Sequence, residues 1–199
     1  NSDHYLSLFQ NPSQEGFLKQ GVTTIVGGLC GSSLAPLLYG SLESIQKWAN
    51  TSQINVNWHS LRELFQVFEK RPLGVNFATL IGHSTIRRAL IGESLRELTK
   101  NELVVFGATL EKALKDGGFG LSTGLGYVHS RATPYSELKF LAHLVNIHHS
   151  VYATHLRKTG EHLLESVEET IKLAKETGVS TLISHFLPIK NLEKEYEKA

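Results

Sequence analysis

The chain of 199 residues contains no methionine, one cysteine and five prolines. A single cysteine excludes an intramolecular disulfide framework, so nothing points to an oxidising compartment, and a cytoplasmic protein is expected. No stretch approaches the roughly 20 apolar residues of a membrane span, and the residues given carry no basic-then-apolar signal segment. No membrane association is therefore expected. Charge of either sign is not in excess: 20 basic and 19 acidic side chains leave a net charge of +1. That balance removes the electrostatic case for a nucleic-acid partner. The missing methionine extends to the first position, Asn1, and predicts a fragment of a longer protein. What is present is globular: 41% hydrophobic and 20% charged residues.

Short β-branched runs alternate with amphipathic stretches. Strands are expected at Val22–Val26, Gly74–Ile81, Phe119–Ser122, Val151–Thr154 and Val179–Ser184. Helices are expected at Ser41–Asn50, Ser60–Lys70, Thr99–Asp116, from Pro134 to about His148, and at Gly160–Thr177, with one more beginning after Asn191. In the third of these, Leu103, Phe106, Leu110 and Leu114 share a face, and Gly117-Gly118 is the stop signal. Strands alternating with helices imply right-handed βαβ units and a parallel sheet. Five strands are too few to close an eight-stranded barrel, so the α/β chain is either an open doubly wound sheet or an incomplete barrel. An incomplete barrel would leave two open sheet edges, and residues 1–199 expressed alone should be poorly soluble.

Three strand ends carry metal-ligand residue types. Cys30 follows the first strand, His155 the fourth and His185 the fifth, and the two histidines are thirty residues apart, about one βα repeat. Equivalent points on successive parallel strands lie at one end of the sheet, where α/β active sites form. A thiolate and two imidazoles suit zinc. By itself Cys30 reads as a small buried hydrophobe, and His143, His148, His149 and His162, on expected helices, read as surface or core residues. The glycine-rich Gly120–Tyr127 stretch lacks the Lys-Ser/Thr ending of a phosphate loop. It reads as a tight turn over the sheet end, with Tyr127 either facing a substrate or simply packing there.

Five stretches in order are similar to the N-acyl-D-amino-acid deacylases (D-aminoacylases) of the amidohydrolase superfamily. They are Gly21–Gly31 (GVTTIVGGLCG), Gly82–Arg87 (GHSTIR), Gly120–Tyr127 (GLSTGLGY), Tyr152–Arg157 (YATHLR) and Ile183–His185 (ISH), and together they span nearly the whole chain. The resemblance implies a metal-dependent (β/α)8 barrel, of which residues 1–199 are one incomplete domain holding about strands 2 to 6. It further implies that the small β-sandwich built from the family's chain ends is absent. Carried over residue by residue, it makes Cys30, His155 and His185 ligands of one or two Zn2+ ions and puts Tyr127 in the substrate pocket. His83 would lie near the site, and Arg157 would face either the substrate or a structural carboxylate.

The implied reaction is hydrolysis of the amide of a small N-acyl-D-amino acid by metal-activated water. The family's catalytic aspartate falls beyond Ala199. If Asp3 matches the aspartate of the family's opening His-x-His-x-Asp, Asn1 stands where the second histidine belongs. Phe186 and Leu187 stand where the family has a basic residue after the last ligand, which points to a divergent branch with a different acyl-amide substrate. Alternatives are a dihydroorotase-like or isoaspartyl-dipeptidase-like hydrolase, or a catalytically inactive barrel homologue. No lysine ends an expected strand to serve as the carboxylated bridge of the first two.

Overall fold

In a computed structural model, residues 4–39, 42–46 and 49–199 are described; Asn1 and Asp3, and with them the reading of the His-x-His-x-Asp opening, lie outside these. The strands are β1 Thr24–Gly27, β2 Asn76–Thr79, β3 Ile81–Gly82, β4 Gly120–Gly124, β5 Val151–His155 and β6 Ser180–Ser184. The helices are α1 His4–Gln10, α2 Glu15–Leu18, α3 Glu43–Gln46, α4 Leu61–Lys70, α5 His83–Ile91, α6 Lys100–Lys115, α7 Val128–Arg131, α8 Tyr135–Ile147, α9 Leu163–Thr177 and α10 Glu193–Lys198. No helix among the described residues is long and apolar enough to cross a membrane.

Every strand pairing is parallel. The single strand expected over Gly74–Ile81 divides at Leu80. Its first half, β2, pairs with β1, while its second half, β3, pairs with β4. Leu80 donates its N–H to Gly27 O at 2.9 Å, and Thr79 O accepts from Phe119 N at 2.9 Å, so one run of backbone joins a two-stranded sheet to a four-stranded one. The resulting order is β1, β2/β3, β4, β5, β6, strictly that of the chain. A doubly wound sheet reverses its strand order at a switch point; among the described residues this succession has no reversal, which is consistent with a fragment of a (β/α) barrel.

Local signals set the helix ends. Ser60 and Thr99 each accept from the N–H three residues on, and Glu63 and Glu102 reach back to the cap N–H, so α4 and α6 both begin with a complete capping box. Gly178 ends α9 in the left-handed region (φ 74°). Of the expected Ser41–Asn50 helix, Glu43–Gln46 is helical (α3), and Ser41, Lys47 and Trp48 lie outside the described residues. The main core forms where Ile81, Leu121 and Tyr152 of the strands meet Phe106 and Leu110 of α6 and Leu138 and Leu141 of α8. A second core surrounds Trp58, which stacks on Phe9 at 5.2 Å and donates its indole N–H to Leu34 O at 2.8 Å.

The α6 cap gives a direct test. Thr99→Ala should lower stability by about 1 kcal/mol, whereas Thr99→Ser should retain most of it. Denaturant midpoints at constant slope measure this.

Candidate metal centre

Parallel register brings the strand ends level. His155, the last residue of β5, pairs with Ser184 of β6 on one side and Gly124 of β4 on the other. His185 follows Ser184 directly, with its backbone turned into the left-handed region (φ 55°). From the far side of β4, the turn after β1 delivers Cys30, also left-handed (φ 57°). The outcome is one cluster: a ligand atom from each of Cys30, His155 and His185 lies within 4.8 Å of the others. Cys30 Sγ is 3.0 Å from His185 Nε2, and the two imidazoles meet edge to face at 5.3 Å. Among the described residues no Asp or Glu joins the group.

A non-glycine residue in the left-handed region costs about 1–2 kcal/mol, so the Cys30 turn needs support. Ser122 of β4 provides it: its hydroxyl accepts from Gly31 N at 3.0 Å and donates to Gly28 O, bracketing Cys30. Ser84, in the first turn of α5, donates to Gly31 O at 2.5 Å. The loop backbone lies so close to β3 that a Cβ on Gly82 would sit 2.6 Å from Gly31 O. Gly126 allows a similar approach, since a Cβ there would stand 3.0 Å from His155 Nε2.

Tyr127 flanks the cluster on the His155 side. Its ring stacks on His155 at 5.0 Å and lies parallel to His129 at 6.2 Å. Burial pushes the Cys30 thiol up from its usual value, and hydrogen bonding from the Tyr127 side chain opposes this. Burial, and then the neighbouring His185, hold His155 below its usual value. Both favour its uncharged form, and its Nδ1 is buried and without a hydrogen-bond partner among the described residues.

The other two residues singled out from the sequence are placed elsewhere. His83 is fully buried under Phe106 (ring centroids 5.3 Å apart), with Nε2 2.8 Å from Glu137 Oε1. Arg87 reaches the same carboxylate oxygen at 3.3 Å and donates to Arg96 O at 2.7 Å. Arg157 faces a structural carboxylate and not the cluster: Nε and one terminal nitrogen each lie 3.0 Å from Glu169, and the other donates to Arg131 O at 2.6 Å. Sequence reasoning missed Ser122, whose signal was a buried hydroxyl in a central strand.

Two experiments probe this arrangement. Ser122→Ala leaves Gly31 N and Gly28 O without their partner, and should cost about 1–3 kcal/mol while speeding alkylation of the Cys30 thiol. For Glu137, burial alone would raise the pKa, but His83 and Arg87 outweigh it and hold the carboxyl below its usual range. Its stabilisation is therefore complete above the unfolded carboxyl pKa and lost as pH falls through the depressed folded value. Glu137→Gln should flatten that acid limb in urea melts between pH 2 and about 5.

No family profile matches the chain. The D-aminoacylase of Alcaligenes xylosoxydans xylosoxydans is 31% identical over 172 residues, covering 84% of this chain and 34% of that protein. The N-acyl-D-aspartate deacylase of the same organism is 31% identical over 179 residues, or 89% and 36%. The chain thus spans about a third of the length of the curated relatives it matches. A D-aminoacylase crystal structure described as defining a novel subset of amidohydrolases superposes with a TM-score of 0.82 at 32% identity, over 92% of this chain and 38% of that one. The N-acyl-D-glutamate deacylase of Bordetella bronchiseptica, solved with zinc and a phosphonate mimic of the tetrahedral intermediate, gives 0.79 at 25% identity over 90% and 37%.

Proposed function

Because this chain is a homologue of the D-aminoacylases and N-acyl-D-amino-acid deacylases of the amidohydrolase superfamily, we propose that the protein it comes from hydrolyses the amide bond of N-acyl-D-amino acids at a metal centre. The observation that carries this reading is the convergence of Cys30, His155 and His185 from three strand ends. In this reading residues 1–199 form part of a (β/α)8 barrel, about its second to sixth strands.

The donor set fits a divalent cation of zinc type. A sulfur and two imidazole nitrogens are zinc's preferred ligands, they lie within 4.8 Å of each other, and the buried His155 Nδ1 lacks a partner among the described residues. When bound, such an ion supplies Lewis acidity and a water whose pKa is drawn toward about 7. Two of the chain's own residues prepare the donor set. Burial and then His185 hold the His155 pKa below its usual value, which favours the uncharged imidazole that metal ligation requires. Tyr127, stacked on His155 at 5.0 Å, limits how far that imidazole can rotate and screens one side of the cluster from water.

The reading is tested on the full-length protein by metal analysis and by release of free amino acid from N-acyl-D-amino acids. Cys30→Ala and His155→Ala should each lose bound metal. Each should lower kcat/KM by more than the 10–100-fold typical of removing a group that only orients a ligand. Full activity in a metal-free protein, or in either variant, rejects it.

A further inference from the structure

Tyr127 is held between two imidazoles, and only one of them belongs to the donor set. On one face is His155, with ring centroids 5.0 Å apart and planes inclined by 22°. On the other is His129, 6.2 Å away and inclined by 8°, an offset parallel stack. An edge of the same ring lies over the bare Cα of Gly124, where a Cβ would stand 2.6 Å from Tyr127 Cδ2. So placed, the Tyr127 side chain hydrogen-bonds the Cys30 sulfur. One phenol therefore touches two of the three donors, His155 through its face and Cys30 through its hydroxyl.

Strand register fixes His155, but His129 needs another support. It sits in α7, a helix of four residues, too short to be stable alone. Two successive arginines of α5 hold it. Arg87 donates to His129 O at 3.4 Å, and a terminal nitrogen of Arg88 lies 3.1 Å from His129 Nδ1. A guanidinium only donates, so Nδ1 accepts, and the ring cannot turn without losing that bond. Arg88 is in turn 3.1 Å from Glu93, and His129 is 8% exposed. These contacts are made within the chain and do not depend on what covers its outer surfaces.

We infer that His129 is a positioning residue of the metal centre: clamped by Arg88, its ring backs the Tyr127 ring and keeps the Tyr127 hydroxyl on the Cys30 sulfur. The inference rests on the metal-centre reading above and adds to it a residue outside the donor set. A hydrogen bond to a thiolate ligand steadies both its charge and its direction. Without His129 the Tyr127 ring keeps one stacking partner in place of two, and rotation of the side chain carries the hydroxyl off the sulfur. His129 thus acts on Cys30 only while Tyr127 carries its hydroxyl.

The test is a double-variant cycle on the full-length protein carrying this chain, with two readouts. The first is zinc affinity, measured on metal-free protein by competition with a chromophoric chelator. Tyr127→Phe and His129→Ala should each weaken it about 10–100-fold. His129→Phe, which keeps a flat ring behind Tyr127, should recover most of the loss, and Arg88→Met should show part of it. In the Tyr127→Phe background, His129→Ala should add little further. The second readout needs no metal: the rate at which iodoacetamide alkylates Cys30, followed on the Cys30 peptide by mass spectrometry. Tyr127→Phe and His129→Ala should shift that rate in the same direction, and the double variant should shift it no further. Melting curves report that each variant is folded; where His129→Ala is not, Arg88→Met takes its place in the cycle.

An unchanged zinc affinity and alkylation rate in either single variant, or effects that add in full in the double variant, overturn the proposal. So does a His129→Phe protein that behaves as His129→Ala does. The two readings fail separately. Effects coupled through Tyr127, in a protein that turns over no N-acyl-D-amino acid, uphold the positioning role and reject the deacylase reading. Turnover with zinc affinity and Cys30 reactivity untouched by His129→Ala does the reverse. In a protein that binds no zinc, the alkylation cycle alone decides, coupled rates upholding the positioning role and additive rates rejecting it.

Discussion

The hydroxyl of Ser122 is the point on which the centre depends. It sits in β4, buried on every side, where a parallel strand ordinarily carries an unbroken apolar run. By accepting from Gly31 and donating to Gly28 it fixes both flanks of a turn whose middle residue, Cys30, is left-handed. Leaving that hydroxyl unpaired would cost about 1–3 kcal/mol, so strand and turn are each unfavourable without the other. Ser84 and the bare Cα of Gly82 close the same turn from the α5 side. Three parts of the chain far apart in sequence therefore hold one thiol, and the register of β5 with β6 then brings two imidazoles to it.

Much of this was legible in the sequence, for identifiable reasons. Strand-end logic brings His155 and His185 together because parallel strands put their carboxyl ends at one end of the sheet. Helices α4 and α6 were readable to within a residue, because Ser60 with Glu63 and Thr99 with Glu102 write their starts as local patterns. Helix α5 was not. Its Gly-His opening and its central Arg87-Arg88 interrupt hydrophobic periodicity, and only the structure reveals that Arg87 is 2% exposed and bound to Glu137. The division of β2 from β3 at Leu80 is likewise tertiary, set by which neighbour each half meets. Nor does any local pattern announce that His185 has a positive φ.

His83 and Arg157 illustrate how a motif differs from a role. Both stand next to residues that shape the centre, yet both are engaged by carboxylates, Glu137 and Glu169. Arg157 ties α9 to the backbone of Arg131, and Arg131 in turn donates to Gly126 O at 3.2 Å, in the turn that carries Tyr127. His83, Arg87 and Glu137 lock α5 to α8 beneath the sheet end. Breaking the buried Arg87–Glu137 pair by removing one partner costs about 3–5 kcal/mol, since the other charge stays behind. These contacts tie the helices to the platform beneath a donor set that spans less than 5 Å.

The loops that follow β5 and β6 then do two things at once. Each begins with a histidine held by strand register and continues into aliphatic residues that line a cavity between the two loops: Leu156 and Leu163 after His155, Leu187 and Ile189 after His185. The first residue of each loop answers to the sheet, whereas the later ones pack against one another, so that substitutions among them need not displace the donors. Phe186 shows the same division within a single segment. Directly after His185 it turns away to pack on Tyr196 at 4.8 Å, anchoring the loop to α10, while Leu187 beside it stays open to the cavity.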